Sequence, residues 1–110
     1  MIESTRSQKY PDVLGVDVEL STGNAFDFHV TVSSPYDSVQ RYADAFRVQG
    51  TDGTVFGERK LLHDHANEQP FTRALKGVAI PAGVRTVVVQ ARDQQYGYGG
   101  RMLEVALPGR

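Results

Sequence analysis

The 110-residue sequence predicts an all-β chain folded as a seven-stranded antiparallel two-sheet β-sandwich, on three observations. Residues 84–107 hold two runs of alternating apolar and polar side chains joined by a glycine-rich segment. Five further runs of the same period-two character precede them, and clusters of Gly, Pro, Asn and Asp punctuate the intervals. Internal repeats and low-complexity segments are lacking.

The anchor is the 84–107 hairpin. Val87, Val89 and Ala91 fall on one side of an extended chain, with Val88, Gln90 and Arg92 on the other, and Leu103, Val105 and Leu107 repeat the pattern after Gly97, Gly99 and Gly100. In chain order, residues 1–10 are poor in apolar side chains and read as a flexible arm ahead of a single domain over 11–110. Residues 13–20 alternate Leu14, Val16, Val18 and Leu20 inward against Gly15, Asp17 and Glu19. After a Ser21-Thr22-Gly23-Asn24 turn, Phe26, Phe28, Val30 and Val32 face in, which puts His29 on a solvated sheet face. Ser34, Pro35 and Asp37 carry helix-start chemistry, so a short helix over 35–41 competes with extended chain before a third strand that holds Tyr42, Phe46 and Val48. Gly50-Thr51-Asp52-Gly53 makes a hairpin to residues 55–62, an edge strand protected by Glu58, Arg59 and Lys60. Residues 71–80 form a fifth strand whose parity switches between Leu75 and Val78, so a bulge is expected at Lys76-Gly77.

A chain of this length suits one domain with one core and needs no staple. Cysteine is absent, which excludes disulfides and thiolate chemistry and suggests a reducing compartment, so a cytoplasmic, soluble protein is expected. The residues after Met1 are polar, and no apolar run approaches a membrane span, so neither a signal peptide nor a membrane role is expected. Twelve basic and thirteen acidic residues leave a formal charge of −1, without the positive field that nucleic-acid binding draws on.

In strand count, and in the run Val87-x-Val89-x-Ala91-x-Asp93 followed by glycines to Gly100, the chain resembles immunoglobulin-like and fibronectin type III-like domains. The resemblance covers nearly the whole chain and is architectural. The Cys and Trp of antibody domains are missing, and the resemblance implies no particular chemistry.

Function is expected at one end. The turns after the first, third and fifth strands are short and explained by geometry, whereas the loops over 34–41, 63–70 and 94–101 are longer than a turn requires. Together they hold Tyr36, Arg41, Tyr96, Tyr98 and Arg101, flat rings and cations suited to an unknown protein or small ligand, in a monomer or weak dimer. A non-enzymatic binding domain is therefore the first expectation, since no nucleophile lies on a G-x-S-x-G motif and no carboxylate pair has suggestive spacing. The alternative is a zinc or copper site, with or without hydrolytic chemistry. His63 and His65 at i and i+2 point the same way on extended chain, and Glu68 supplies oxygen. Asp44 and Asp93, both of inward parity, read as structural acids that tie down loops.

Overall fold

A computed structural model describes residues 8–110, which form two antiparallel sheets packed face to face. The strands are β1 (Asp12–Leu20), β2 (Ala25–Ser33), β3 (Ala43–Gly50), β4 (Val55–Lys60), β5 (Phe71–Ala79), β6 (Thr86–Asp93), β7 (Gly97–Tyr98) and β8 (Leu103–Ala106). One sheet has the order β1-β2-β5. The other has the order β4-β3-β6-β7, with β8 also paired to β6. The all-β two-sheet sandwich expected from the sequence is thus observed, and its architecture is compatible with an immunoglobulin-like fold.

Alternation builds the core. In β2 every second side chain is buried, so Phe26, Phe28, Val30 and Val32 meet Phe46, Val48, Val87 and Val89 from the opposite sheet. Phe71 and Val78 extend the layer from β5, and Val105 packs half-buried at its margin beside buried Leu107. The bulge in β5 falls where expected. Phe28 pairs with Leu75 and Phe26 with Val78, which leaves Lys76 and Gly77 together opposite the single residue Asp27. Gly77 takes a φ of 68°, a left-handed conformation that costs glycine little, and its amide donates to Asp27 Oδ1 at 2.8 Å. β4 lies at a sheet edge, as its charges suggest.

Four expectations are corrected. The strands number eight among the described residues, because Gly97 and Tyr98, read as loop, pair with Asp93 and Arg92. The short helix over 35–41 is absent. Asp37 N donates to Ser34 O at 2.8 Å, and Ser38 and Arg41 exchange backbone bonds, giving two successive turns. The cause is Asp37 itself, whose carboxylate accepts amides from outside the segment instead of serving a first helical turn. In β1 the register shifts between Val13 and Gly15, so Val13 takes the inward place and Leu14 is 43% exposed, while Leu20, opposite Phe26 at the strand's end, is 53% exposed. A similar shift between Ala43 and Ala45 turns Asp44 outward, where its Oδ2 meets Arg92 Nη1 at 2.6 Å.

Of the arm expected over 1–10, residues 1–7 lie outside the described residues. Gln8 Nε2 donates to the carbonyls of Tyr10 and Ser33 at 2.8 and 3.1 Å. The Tyr10 ring lies so close to Gly99 that a Cβ there would stand 2.4 Å from its Cδ1, so only glycine fits.

The parity of β2 is directly testable. Phe28→Ala should cost about 3 to 5 kcal/mol through the lost transfer energy and the cavity left behind. His29→Ala, on the outer face, should change stability by less than about 0.5 kcal/mol. Urea denaturation of both variants distinguishes them, and equal midpoints would invert the assignment.

Candidate functional site

The three long connections converge at one end of the sandwich, and the polar groups that join them are buried. Ser34, Asp37, His65 and Asp93 are the buried polar or charged residues among those described, and all four belong to this end. Elsewhere the interior is apolar, so the loop end is where the fold places its internal hydrogen bonding.

The first brace links 34–41 to 63–70. Asp37 Oδ1 accepts from Ala43 N at 3.1 Å, and Oδ2 accepts from His65 N at 3.0 Å. Gln69 Oε1 accepts from Ser34 N at 2.7 Å, while its Nε2 donates to His65 O at 2.9 Å and Ser34 Oγ at 3.3 Å. Main-chain groups that loops would leave open are thereby satisfied across the loop pair.

The second brace is Asp93, the last residue of β6, whose alternation delivers a carboxylate to the core face. Its Oδ1 accepts from Tyr36 Oη at 2.6 Å and Arg41 Nε at 3.0 Å. Oδ2 accepts from the amides of Gln95 and Tyr96, both at 2.9 Å, and from Arg41 Nε at 3.1 Å. Burial pushes this carboxyl toward its neutral form. The Tyr36 hydroxyl, Arg41 and the two amides outweigh that effect and hold its pKa below the usual aspartate value. The Tyr36 phenol moves the other way, raised first by burial and then by its bond to Asp93.

Above this carboxylate lies a stack of rings and cations. The Arg41 guanidinium sits 4.0 Å from the centroid of Tyr36 and 4.9 Å from that of Tyr96. Lys9 Nζ is 5.0 Å over the Tyr96 ring, which Tyr10 meets edge-on at 6.4 Å, and Arg41 Nη2 also donates to Lys9 O. Tyr96 is 46% exposed, so this array reaches the surface. Of the five expected binding residues, Tyr36, Arg41 and Tyr96 are brought together.

Tyr98 and Arg101 do not join them. Tyr98 lies on the outer face of the larger sheet, its ring 3.7 Å from the Arg47 guanidinium and its hydroxyl bonded to Glu58. Burial and then Glu58 raise its pKa above the ordinary tyrosine value. Arg101 is exposed and bonds through its main chain, its N donating to Asp12 Oδ1 and its O accepting from Val13 N, both at 2.8 Å.

The expected metal set is not assembled. The His65 ring stacks on Phe71 at 3.9 Å, with Nδ1 3.6 Å from Asp37 Oδ2. Burial first, then the Arg73 charge, lowers its pKa. His63 is exposed, its centroid 5.2 Å from that of His65, and Glu68 is turned away in a two-pronged pair with Arg73 at 2.9 and 3.2 Å. Among the described residues no group of three or more His, Asp or Glu side chains is placed to hold a metal ion.

Sequence reasoning missed Lys9, Tyr10 and Gln69. The parity of β6 did signal Asp93 as a loop-tying acid, and the structure gives it that part. At the opposite end, where the short turns seemed to serve geometry alone, a pocket of about 690 Å³ opens among Phe56, Val84, Arg85, Thr86 and Glu104.

Asp93→Asn removes the anion while keeping its shape. It should cost about 2 to 4 kcal/mol at neutral pH, because Arg41 and Tyr36 lose a buried charged acceptor. The folded-state pKa is depressed, so the ionised form's contribution is complete above the ordinary carboxylate value near pH 4 and is lost as pH falls through Asp93's own lower value. Denaturation from neutral to acid should therefore show the gap between native chain and variant narrowing only below about pH 4. A gap that is constant throughout would remove the carboxylate from this account.

No family model and no solved structure matches the chain. The chain is 37% identical over 94 residues to a curated protein of Halomicrobium mukohataei named "Putative lipoprotein". The match covers 86% of this chain and 46% of that protein, so the chain spans about half the length of the curated relative it matches. The cytoplasmic placement expected from the sequence is corrected by this relative, whose name is that of a lipoprotein. Its basis was the absence of cysteine, and a domain with a core of this size folds without disulfides in either compartment.

Proposed function

We propose that this chain is a non-enzymatic binding or protein-interaction domain of immunoglobulin-like or fibronectin type III-like design, carried on a membrane-anchored protein and exposed outside the cytoplasm. The observation that carries the binding reading is the Tyr36-Arg41-Tyr96 stack, half-exposed at its tip and fixed from below by a buried carboxylate. Tyrosine and arginine dominate binding energy at interfaces, and side chains already held in one geometry lose less entropy when a partner arrives. The 34–41 and 63–70 loops, locked by Asp37 and Gln69, flank the stack and complete the surface. The placement outside the cytoplasm rests on the lipoprotein relative. β4, an edge strand bearing Glu58, Arg59 and Lys60, discourages strand-to-strand pairing, so the resting state is a monomer or weak dimer.

A photo-crosslinking amino acid at Tyr96 should capture a partner from the native cell envelope, while the same group at His29, on the outer face of the smaller sheet, captures none. Equal capture at the two positions would sink the loop-end reading. Localisation has its own measurement. The full-length protein should partition into the detergent phase and be cleaved by protease added outside intact cells. Recovery in the cytosolic fraction would remove the anchored reading.

A further inference from the structure

Between the facing edges of the two sheets, β4 and β5 leave a pocket of about 170 Å³ lined by Arg59, Lys60, Leu61, Leu62, His63, His65 and Arg73. Five of these seven residues are Arg, Lys or His, and none is acidic. The space is several times the roughly 30 Å³ share of one water.

The fold forces the cations together. Arg73 is the cross-strand partner of core residue Val30, so its parity points it between the sheets at their open side. Arg59 comes from the opposite edge, where its Nη1 donates to Ala74 O at 2.5 Å, a bond that spends one nitrogen and leaves the guanidinium charge without a carboxylate partner among the described residues. Lys60 Nζ is 3.9 Å from Glu58 Oε1 with its side chain 74% exposed, a contact worth little. Arg73 is held by Glu68, itself more than half exposed, which fixes the guanidinium at the rim. The buried His65 ring forms the inner wall, with its Nδ1 toward Asp37 Oδ2 at 3.6 Å. Like charges gathered around a partly desolvated space repel one another, and an anion there relieves that repulsion.

We propose that this pocket binds a phosphate group, free or as a phosphomonoester, with Arg59 and Lys60 as charged donors and the Glu68-paired Arg73 at its rim. Planar guanidinium forks and an ammonium suit a tetrahedral oxyanion. None of Tyr36, Arg41 or Tyr96 lines the pocket, which shares only the 63–70 loop with the loop-end surface, so capture at Tyr96 and phosphate titration test the two readings separately.

Titration of inorganic phosphate into the isotopically labelled chain tests it. Saturable amide shifts at Leu61, Leu62, His63 and Arg73 are expected, beyond those from sodium chloride at matched ionic strength. Arg59→Gln with Lys60→Gln removes two charged donors and should weaken binding by at least about tenfold, which is the loss expected from even one charge-assisted bond. Lys76→Gln, a charge on β5 that does not line the pocket, should leave binding unchanged, and an unshifted unfolding midpoint in the double variant excludes loss of fold. Co-sedimentation with phosphatidic acid vesicles, abolished in the double variant, would assign a lipid headgroup, and binding of phosphate and glycerol phosphate without co-sedimentation would assign a soluble phosphate. Non-saturating shifts, shifts that chloride reproduces, or equal affinity in native chain and double variant would overturn the proposal.

Discussion

The Asp93 carboxylate is the interaction on which the loop end depends. Taking an ionised carboxylate out of water costs several kcal/mol unless its lone pairs are filled, and here the Tyr36 hydroxyl, the Arg41 guanidinium and two main-chain amides fill them. Each donor comes from a segment that would otherwise have little reason to hold its place. The amides of Gln95 and Tyr96 fix the turn out of β6, while Tyr36 and Arg41 bring in the connection between β2 and β3. Remove the charge and two separate connections lose their common acceptor.

Asp37 and Gln69 do for the 63–70 connection what Asp93 does for the turn after β6, with neutral donors in place of a guanidinium. The two ends of the sandwich are therefore built on different physics. At one end, short turns follow from backbone geometry, and Gly50, Gly53 and Pro81 suffice. At the other, long connections are ordered by buried polar atoms, and the exposed side chains they carry inherit that order. Tyr96 illustrates this: its own amide is bonded to the carboxylate that positions the cation beneath its ring.

Much of this was legible because period-two alternation is a direct consequence of strand geometry. The core faces of β2 and β6, the bulge at Gly77 and the convergence of the long loops all follow from counting parity along the chain. Where legibility failed, a single extra residue was responsible. The shift between Val13 and Gly15 exposed Leu14, and the one between Ala43 and Ala45 turned Asp44 outward, because the extra residue reverses parity, so that Val13 and Ala43 before it face inward while the residues after it keep their expected faces. Asp37 misled in another way, since an acid near Pro35 reads equally as helix cap and as acceptor for distant amides, and only the tertiary position of His65 N and Ala43 N decides between them. The His63-Asp64-His65 spacing was sound stereochemistry for chelation, but Phe71 lies beneath one ring and Arg73 holds Glu68. Both Phe71 and Arg73 follow within a few residues on β5, and the way the 63–70 loop folds back on that strand decides that they meet His65 and Glu68.

The close approach of Tyr10 to Gly99 ties the beginning of the described chain to nearly its end. Val13 N reaches Arg101 O, and Arg101 N reaches Asp12 Oδ1, a sequence separation of 89 residues. Contacts of such range carry the largest loop-closure cost and form late. During synthesis β1 can pair with β2 almost at once, yet the side of the sandwich where β1 meets the final hairpin stays open until residues 99–101 have left the ribosome. Until β7 and β8 have both followed, β6 has an unpaired edge, which makes the nascent chain, rather than the finished domain, the form most open to strand-to-strand association.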